Sequence, residues 1–147
     1  MMRCRLLDEL VRRAATPSYR RSASVADYSD FLATVSTERI NAFLAMLDRG
    51  QDSALLRYSL GNEYLSMENF EEAAVQLRFA VDLDRNYSAA WKQLGRALVQ
   101  LNRDGDAIAV YREGIDVAEK NGDRQAAKDD RVSQATAEET ERLMEAS

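Results

Sequence analysis

The residues that could do chemistry in this chain are few, and none has the partners that catalysis needs. The sequence holds one cysteine, Cys4, and no histidine, so the usual base for activating a thiol is missing. Pairs of adjacent carboxylates occur at residues 71–72, 129–130 and 138–139. Neighbouring residues on a helix point about 100° apart, so such a pair does not converge on a substrate as acid and base. We therefore expect no enzyme activity.

Cofactor and metal sites are not expected either. The lack of histidine removes the commonest zinc ligand, and the sequence contains no phosphate-binding glycine loop or calcium-loop pattern. A single cysteine cannot form a disulfide within the chain. The aromatic residues Trp91, Tyr111 and Phe79 are interpreted as packing residues rather than as a ligand cage.

Composition favours one helical domain behind a basic arm. The chain has 147 residues, 46% of them hydrophobic, with one proline and six glycines, which suits an all-α domain better than a turn-rich β fold. Residues 1–24 hold six arginines and two carboxylates, so this arm carries +4 and the remainder −9 of the net −5. We predict that residues 1–35 form a basic arm that is weakly ordered or partly helical.

The charge and hydropathy patterns also bear on location. No apolar stretch is long enough to span a membrane, and we expect a cytoplasmic protein for which nucleic acid is not the partner. The arginines of the arm leave two other uses open: an organellar targeting segment, or contact with an anionic surface such as a membrane or nucleic acid.

A repeat of 34 residues organises the middle of the chain. Offsetting the sequence by this period aligns residues 54–87 with residues 88–121. Five positions are then identical: Leu60 and Leu94, Gly61 and Gly95, Ala73 and Ala107, Arg78 and Arg112, and Asp82 and Asp116. The apolar spacing predicts two helices in each unit, with a turn at 68–69 in the first and at 102–105 in the second. Asn69 and Ser88 are predicted helix caps.

The matched glycines Gly61 and Gly95 predict close helix packing. Glycine inside a helix costs about 1 kcal/mol relative to alanine, so its recurrence one period later indicates a steric reason. We expect the two helices of each hairpin to approach closely there, against small residues such as Ala73, Ala107 and Gly114.

These residues resemble the tetratricopeptide repeat signature, W-x2-L-G-x2-Y, A-x3-F and P with period 34. The first unit supplies Leu60-Gly61-x2-Tyr64 and Ala73-x3-Leu77. The second supplies Trp91-x2-Leu94-Gly95-x2-Leu98 and Ala107-x3-Tyr111. Arg57 stands where tryptophan is usual. The resemblance implies a right-handed stack of antiparallel helix hairpins, a tetratricopeptide-like α-solenoid.

The flanks are predicted to complete this stack over residues 36–135. Residues 36–50 are interpreted as the second helix of a degenerate unit, capped by Ser36 and ended by Gly50, and residues 20–35 as a weak helix or packed arm. Residues 123–135 are predicted to form a polar closing helix with Ala126, Ala127, Val132 and Ala135 on its apolar side. Residues 136–147 are predicted to be a tail or a short helix that restarts at Thr136.

The resemblance also implies a function, because the first helix of each such repeat lines a concave groove that binds a peptide or a helix. The candidate groove residues are Tyr58, Asn62, Leu65, Lys92, Arg96 and Val99. Lys92 and Arg96 share a helical face and could pair with an acidic partner. The chain is therefore predicted to be a non-catalytic protein-binding module. The alternative is a structural protein that forms a homodimer through exposed repeat ends.

Overall fold

The fold is seen in a computed structural model that describes residues 25–147. Residues 1–24 of the predicted basic arm, which include Cys4, lie outside the described residues. The second of two units in the chain comprises residues 36–147. Every element in the described part is a helix: α1 (Val25–Asp48), α2 (Ala54–Ser66), α3 (Phe70–Leu83), α4 (Ser88–Gln100), α5 (Asp104–Lys120) and α6 (Arg124–Glu145). The all-α prediction is confirmed.

Two successive antiparallel hairpins form the centre of the second unit. Helix α2 packs on α3, α4 packs on α5, and α3 also packs on α4, so that the hairpins stack. Each hairpin turns through one residue with positive φ, Glu68 at 59° and Asn102 at 57°. These two residues are one 34-residue period apart, so the repeat extends to the backbone geometry of its turn. The stack of hairpins predicted from the repeat is confirmed.

The core runs through both hairpins as a continuous apolar cluster. Its largest fully enclosed side chains are Leu60, Leu77, Leu94, Leu98 and Val81. Burial of one such side chain contributes roughly 1.5–3 kcal/mol, so these residues dominate the packing energy of the stack. Tyr111 is also buried in this cluster, and Trp91 packs against it, as predicted. Phe79 departs from the prediction, because 47% of it is exposed.

The matched glycines do mark a close approach, but the opposing residues differ from the expectation. A Cβ at Gly61 would lie 2.5 Å from Cγ of Leu77, and a Cβ at Gly95 would lie 2.5 Å from Cε1 of Tyr111. Each glycine thus makes room for one large buried side chain of the partner helix. Small residues do not face these two glycines, as the sequence suggested they would. Gly114 does approach the other helix of its hairpin closely, because a Cβ there would lie 3.1 Å from Cβ of Trp91.

The predicted helix cap at Asn69 is confirmed, and the one predicted at Ser88 is wrong. The Asn69 side chain accepts a hydrogen bond from the backbone N–H of Glu72 at 3.4 Å. Helix α4 instead follows Tyr87, whose side chain makes no capping bond, and Ser88 is already helical. Ser53, which the sequence did not single out, caps α2 by accepting from the N–H of Leu56 at 3.2 Å.

The flanking helices are longer and simpler than predicted. Helix α1 is continuous from Val25 to Asp48, so Ser36 lies inside a helix and does not cap one. Gly50 follows the helix end with a φ of +80°, a conformation that suits glycine, as expected. Helix α6 likewise runs through Thr136 without a restart. The predicted boundaries at residues 35 and 135 therefore both fall within helices, and the division into arm, domain and tail stays a prediction.

The inner face of α6 also differs from the prediction. Ala127 is buried as expected, but Val132 is 69% exposed and Ala135 points to solvent. The buried residues of this helix are Ala127, Asp130 and Ala137. A charged residue therefore occupies the centre of the face that closes the stack, a position that apolar spacing could not reveal.

None of the described helices is long and apolar enough to cross a membrane.

Candidate functional site

A groove runs between the first helices of the two repeats, α2 and α4, with a volume of about 450 Å³. Its lining residues come from both helices, from the first hairpin turn and from the start of α3: Asn62, Leu65, Ser66, Glu68, Phe70, Gln93, Arg96 and Gln100. The 34-residue repeat explains this position, because Asn62 and Arg96 occupy the same place in successive units. Equivalent faces of stacked helices therefore meet in one concavity.

The groove is rich in groups that can bond to a peptide backbone. Asn62, Gln93 and Gln100 each carry an amide, which donates and accepts hydrogen bonds. The Oε1 atom of Gln93 is buried and has no hydrogen-bond partner among the described residues. Such an acceptor is costly to leave unpaired, so a turn of the Gln93 amide that brings Oε1 to a ligand N–H in the groove would recover a hydrogen bond.

Arg96 supplies the positive charge of the groove, and Glu68 in the same lining carries a negative one. The residue is exposed, and within residues 25–147 no carboxylate forms an ion pair with it. Leu65 and Phe70 are partly buried beside it and give the groove an apolar portion. The guanidinium can therefore bind a carboxylate through two parallel hydrogen bonds, while the apolar portion receives a neighbouring side chain.

Three of the six predicted groove residues line this concavity, namely Asn62, Leu65 and Arg96. The others have different contacts. The ring centre of Tyr58 lies 4.9 Å from that of Tyr87, and both Tyr58 and Val99 pack against the core. The assignment of all six to ligand binding stays a prediction.

Lys92 does not act as a second free cation beside Arg96. Its Nζ donates to Oδ2 of Asp129 on α6 at 3.0 Å. The hydrogen bond from Lys92 lowers the pKa of Asp129, and a second bond from Gln125 acts in the same direction. Sequence spacing placed Lys92 and Arg96 on one helix face, but it could not show that α6 reaches back to the first of them.

Arg57, at the position where the family usually has tryptophan, also has a structural role that the sequence did not indicate. Its Nε and Nη2 atoms donate to both oxygens of Asp52 at 2.8 and 2.7 Å, and Nη1 donates to Gln76 at 2.8 Å. The guanidinium also lies 4.7 Å from the ring centre of Phe79, a distance suited to a cation–π contact. The hydrogen bonds from Arg57 lower the pKa of Asp52.

The most perturbed carboxyl group belongs to Asp130. The side chain is fully buried, and burial raises its pKa to about 6. Burial also raises the pKa of the nearby Tyr111 phenol. The sequence drew attention to the 129–130 pair and correctly predicted that its members diverge. Only the structure shows that one pairs with Lys92 at the surface while the other is enclosed.

The described part of the chain contains no group of three or more carboxylate or cysteine side chains arranged to hold a metal ion.

Comparison with known proteins agrees with the repeat and the fold. The sequence model of the tetratricopeptide repeat matches residues 54–87 and 88–121, the two units defined by the period of 34. A TPR repeat-containing protein from Pseudomonas aeruginosa is 40% identical over 84 residues, which are 57% of this chain and 80% of that protein. This chain belongs to the tetratricopeptide repeat family.

Two solved structures place the helices in the same arrangement. The solution structure of a Bordetella parapertussis protein is 35% identical, with a TM-score of 0.62, and the match covers 71% of this chain and 90% of the other. The Sgt2 TPR domain from Aspergillus fumigatus is 25% identical, with a TM-score of 0.60, covering 78% and 82%. Tetratricopeptide repeats are in general protein–protein interaction modules and non-enzymatic scaffolds.

Proposed function

We propose that this protein binds a peptide segment in the groove between α2 and α4, and that Arg96 selects segments with an acidic group. The observation that carries the proposal is the placement of an Arg96 without an ion pair among the described residues beside the buried, unpartnered Oε1 of Gln93. The first attracts a carboxylate, and the second accepts from a ligand N–H when the Gln93 amide turns toward the groove. Asn62 and Gln100 extend the row of amides along the groove.

The shape of the groove favours an extended peptide. The polar groups come from two neighbouring helices and lie beside the partly buried Leu65 and Phe70. A segment that carries an acidic side chain or a terminal carboxylate close to an apolar side chain would satisfy both sets of contacts.

Binding is tested by peptide selection followed by a charge reversal. Random peptides displayed on phage are selected on the full chain, and the affinity of the best peptide is measured by calorimetry for the wild type and for Arg96→Glu. A charge-assisted hydrogen bond is worth about 1.5–3 kcal/mol, so we expect Arg96→Glu to weaken binding by at least about tenfold.

The matched control is Arg78→Glu, which makes the same charge change on α3 outside this groove. Arg78→Glu should leave the affinity within about twofold of the wild type, and Lys92→Gln should have a smaller effect than Arg96→Gln because Lys92 is already paired. Equal affinity of the wild type and Arg96→Glu for every selected peptide would rule out this groove as the binding site.

The homodimer and the cytoplasmic location stay predictions. Sedimentation equilibrium at tens of micromolar tests the first: a monomer at that concentration contradicts self-assembly as the main role. Cell fractionation tests the second.

A further inference from the structure

Asp130 lies in the middle of α6 and faces α5 at the closing end of the stack. Its relative exposure is 0%, and neither carboxyl oxygen has a hydrogen-bond partner among the residues that the structure describes. The space for it comes from Gly114 on α5, where a Cβ would lie 3.1 Å from Oδ2 of Asp130. A buried carboxylate without hydrogen bonds is costly, whereas the protonated acid is a neutral group of the same shape.

The charged and titratable groups around Asp130 come from every helix packed against it. Helix α4 contributes Lys92, whose Nζ is bonded to Asp129. Helix α5 contributes the phenol of Tyr111. Asp129 and the N-cap residue Asp123 come from α6 and its start. An ionised Asp130 would thus face two other carboxylates, and the cation that acts on it, Lys92, is already paired with Asp129. Arg96, on the same helix as Lys92, acts on the phenol of Tyr111.

These surroundings set the direction of titration. Burial is the main cause that raises the pKa of Asp130 to about 6; Lys92 opposes the rise, and Asp129 and Asp123 add to it. A folded-state pKa above the ordinary value of 3.8 means that the docked helix binds the proton more tightly than the released helix does. The resulting stabilisation is complete below pH 3.8 and is lost as the pH rises through about 6.

We propose that α6 is a proton-dependent cap on the repeat stack, held most tightly when Asp130 is protonated and released more readily once this carboxyl ionises. The device depends on three features together: the enclosed carboxyl, the cavity left by Gly114, and the commitment of Lys92 to Asp129. It is independent of peptide binding in the α2–α4 groove, so either proposal can fail without the other.

Release of α6 would uncover a defined apolar surface. The contacts of α5 with α6 include Gly105 near Glu141, Arg112 with Glu138, and Glu119 with Arg131. Ile108 and Ile115 follow the same helical spacing, and both are at most 9% exposed. Opening of the cap would therefore expose two isoleucines to any partner able to cover them.

The test is amide hydrogen exchange along α6 in the full chain at about pH 5 and about pH 7.5, corrected for the intrinsic effect of pH on exchange. With a pKa of about 6 in the docked helix and 3.8 in the released helix, the opening equilibrium should rise about tenfold between the two conditions. Asp130→Asn, which cannot ionise, should remove this rise. The control Asp116→Asn, at an exposed position of α5, should retain it.

A second measurement keeps the proposal testable if Asp130→Asn does not fold. The carboxyl carbon of Asp130 in the wild-type chain can be titrated directly by nuclear magnetic resonance. A midpoint near 6 supports the proposal, and a midpoint near 4 overturns it. Equal pH dependence of α6 opening in the wild type and in a folded Asp130→Asn variant would overturn it as well.

Discussion

At the scale of single residues, two glycines determine how tightly the hairpins close. Gly61 and Gly95 each lie where a Cβ would come within 2.5 Å of a buried side chain, Leu77 in one hairpin and Tyr111 in the other. Leu77 is fully buried and Tyr111 is 3% exposed, so an added Cβ could be accommodated only by displacing packed core side chains. The steric requirement therefore outweighs the cost of glycine in a helix.

The corresponding prediction compares two glycine-to-alanine changes. We expect Gly95→Ala to lower the free energy of unfolding by about 1–2 kcal/mol, because overpacking typically costs more than alanine gains in helix propensity. Gly105→Ala is the control, since the added Cβ would meet only the carboxylate end of Glu141 at 3.1 Å. Urea unfolding followed by circular dichroism measures both. A Gly95→Ala chain as stable as the wild type would contradict the steric role.

The residue scale also shows where spacing is informative and where it is not. The period of 34 singled out both glycines, because a recurring cost in a helix requires a recurring cause. The same spacing placed Lys92 and Arg96 on one face, but the pairing of Lys92 with Asp129 joins residues 37 positions apart. A contact over that distance depends on how α6 packs, which local pattern does not encode.

At the scale of elements, the two repeats begin their first helices differently. The hydroxyl of Ser53 caps α2, whereas the residue before α4 makes no side-chain cap. The first residue of α4, Ser88, is half-buried and already helical. Ser53 therefore caps the helix that follows it, whereas Ser88 is the first residue of its helix and caps nothing.

This difference predicts unequal effects of the same substitution. Ser53→Ala should destabilise the chain by about 1 kcal/mol, because an N-cap hydrogen bond is lost. Ser88→Ala should change stability by less than about 0.5 kcal/mol, because no capping bond is present to lose. Thermal melts of the two variants and the wild type measure both changes in stability. A larger loss of stability for Ser88→Ala than for Ser53→Ala would show that the capping assignment is wrong.

At the scale of the whole helical unit, residues 36–147, α6 closes one end of the stack. It packs on α5 and α4 and covers the face of α5 that carries Ile108 and Ile115. Helix repeats bury their apolar faces only against a neighbour, so the last hairpin needs this cover. The cover is nevertheless polar at its centre, where Asp130 lies.

Removal of α6 should therefore destabilise the entire stack. A chain that ends after Gly122 is expected to melt at a clearly lower temperature and less cooperatively, because the exposed isoleucines and Tyr111 lose their cover. A chain that ends after Leu143 is the control, since Met144 and the residues after it are exposed. Circular dichroism melts of the three lengths test this. Equal melting of the shortest and full chains would mean that α6 adds nothing to the core.

The sequence by itself determined the repeat, its boundaries, the helix pairs and the need for close packing at Gly61 and Gly95. All of these follow from spacing within about 34 residues, which a local pattern records directly. Three of the eight residues that line the groove, Asn62, Leu65 and Arg96, were among the six that the resemblance to the family implied.

Only the tertiary structure decided which groups are paired and which are enclosed. In the structure Lys92 pairs with Asp129, Leu77 and Tyr111 pack against the two glycines, and Asp130 of α6 is enclosed against α5. The structure also joins residues 25–48 into a single helix. These outcomes depend on the space and the charge that one helix presents to another, and the order of residues along one helix does not specify what the facing helix contains.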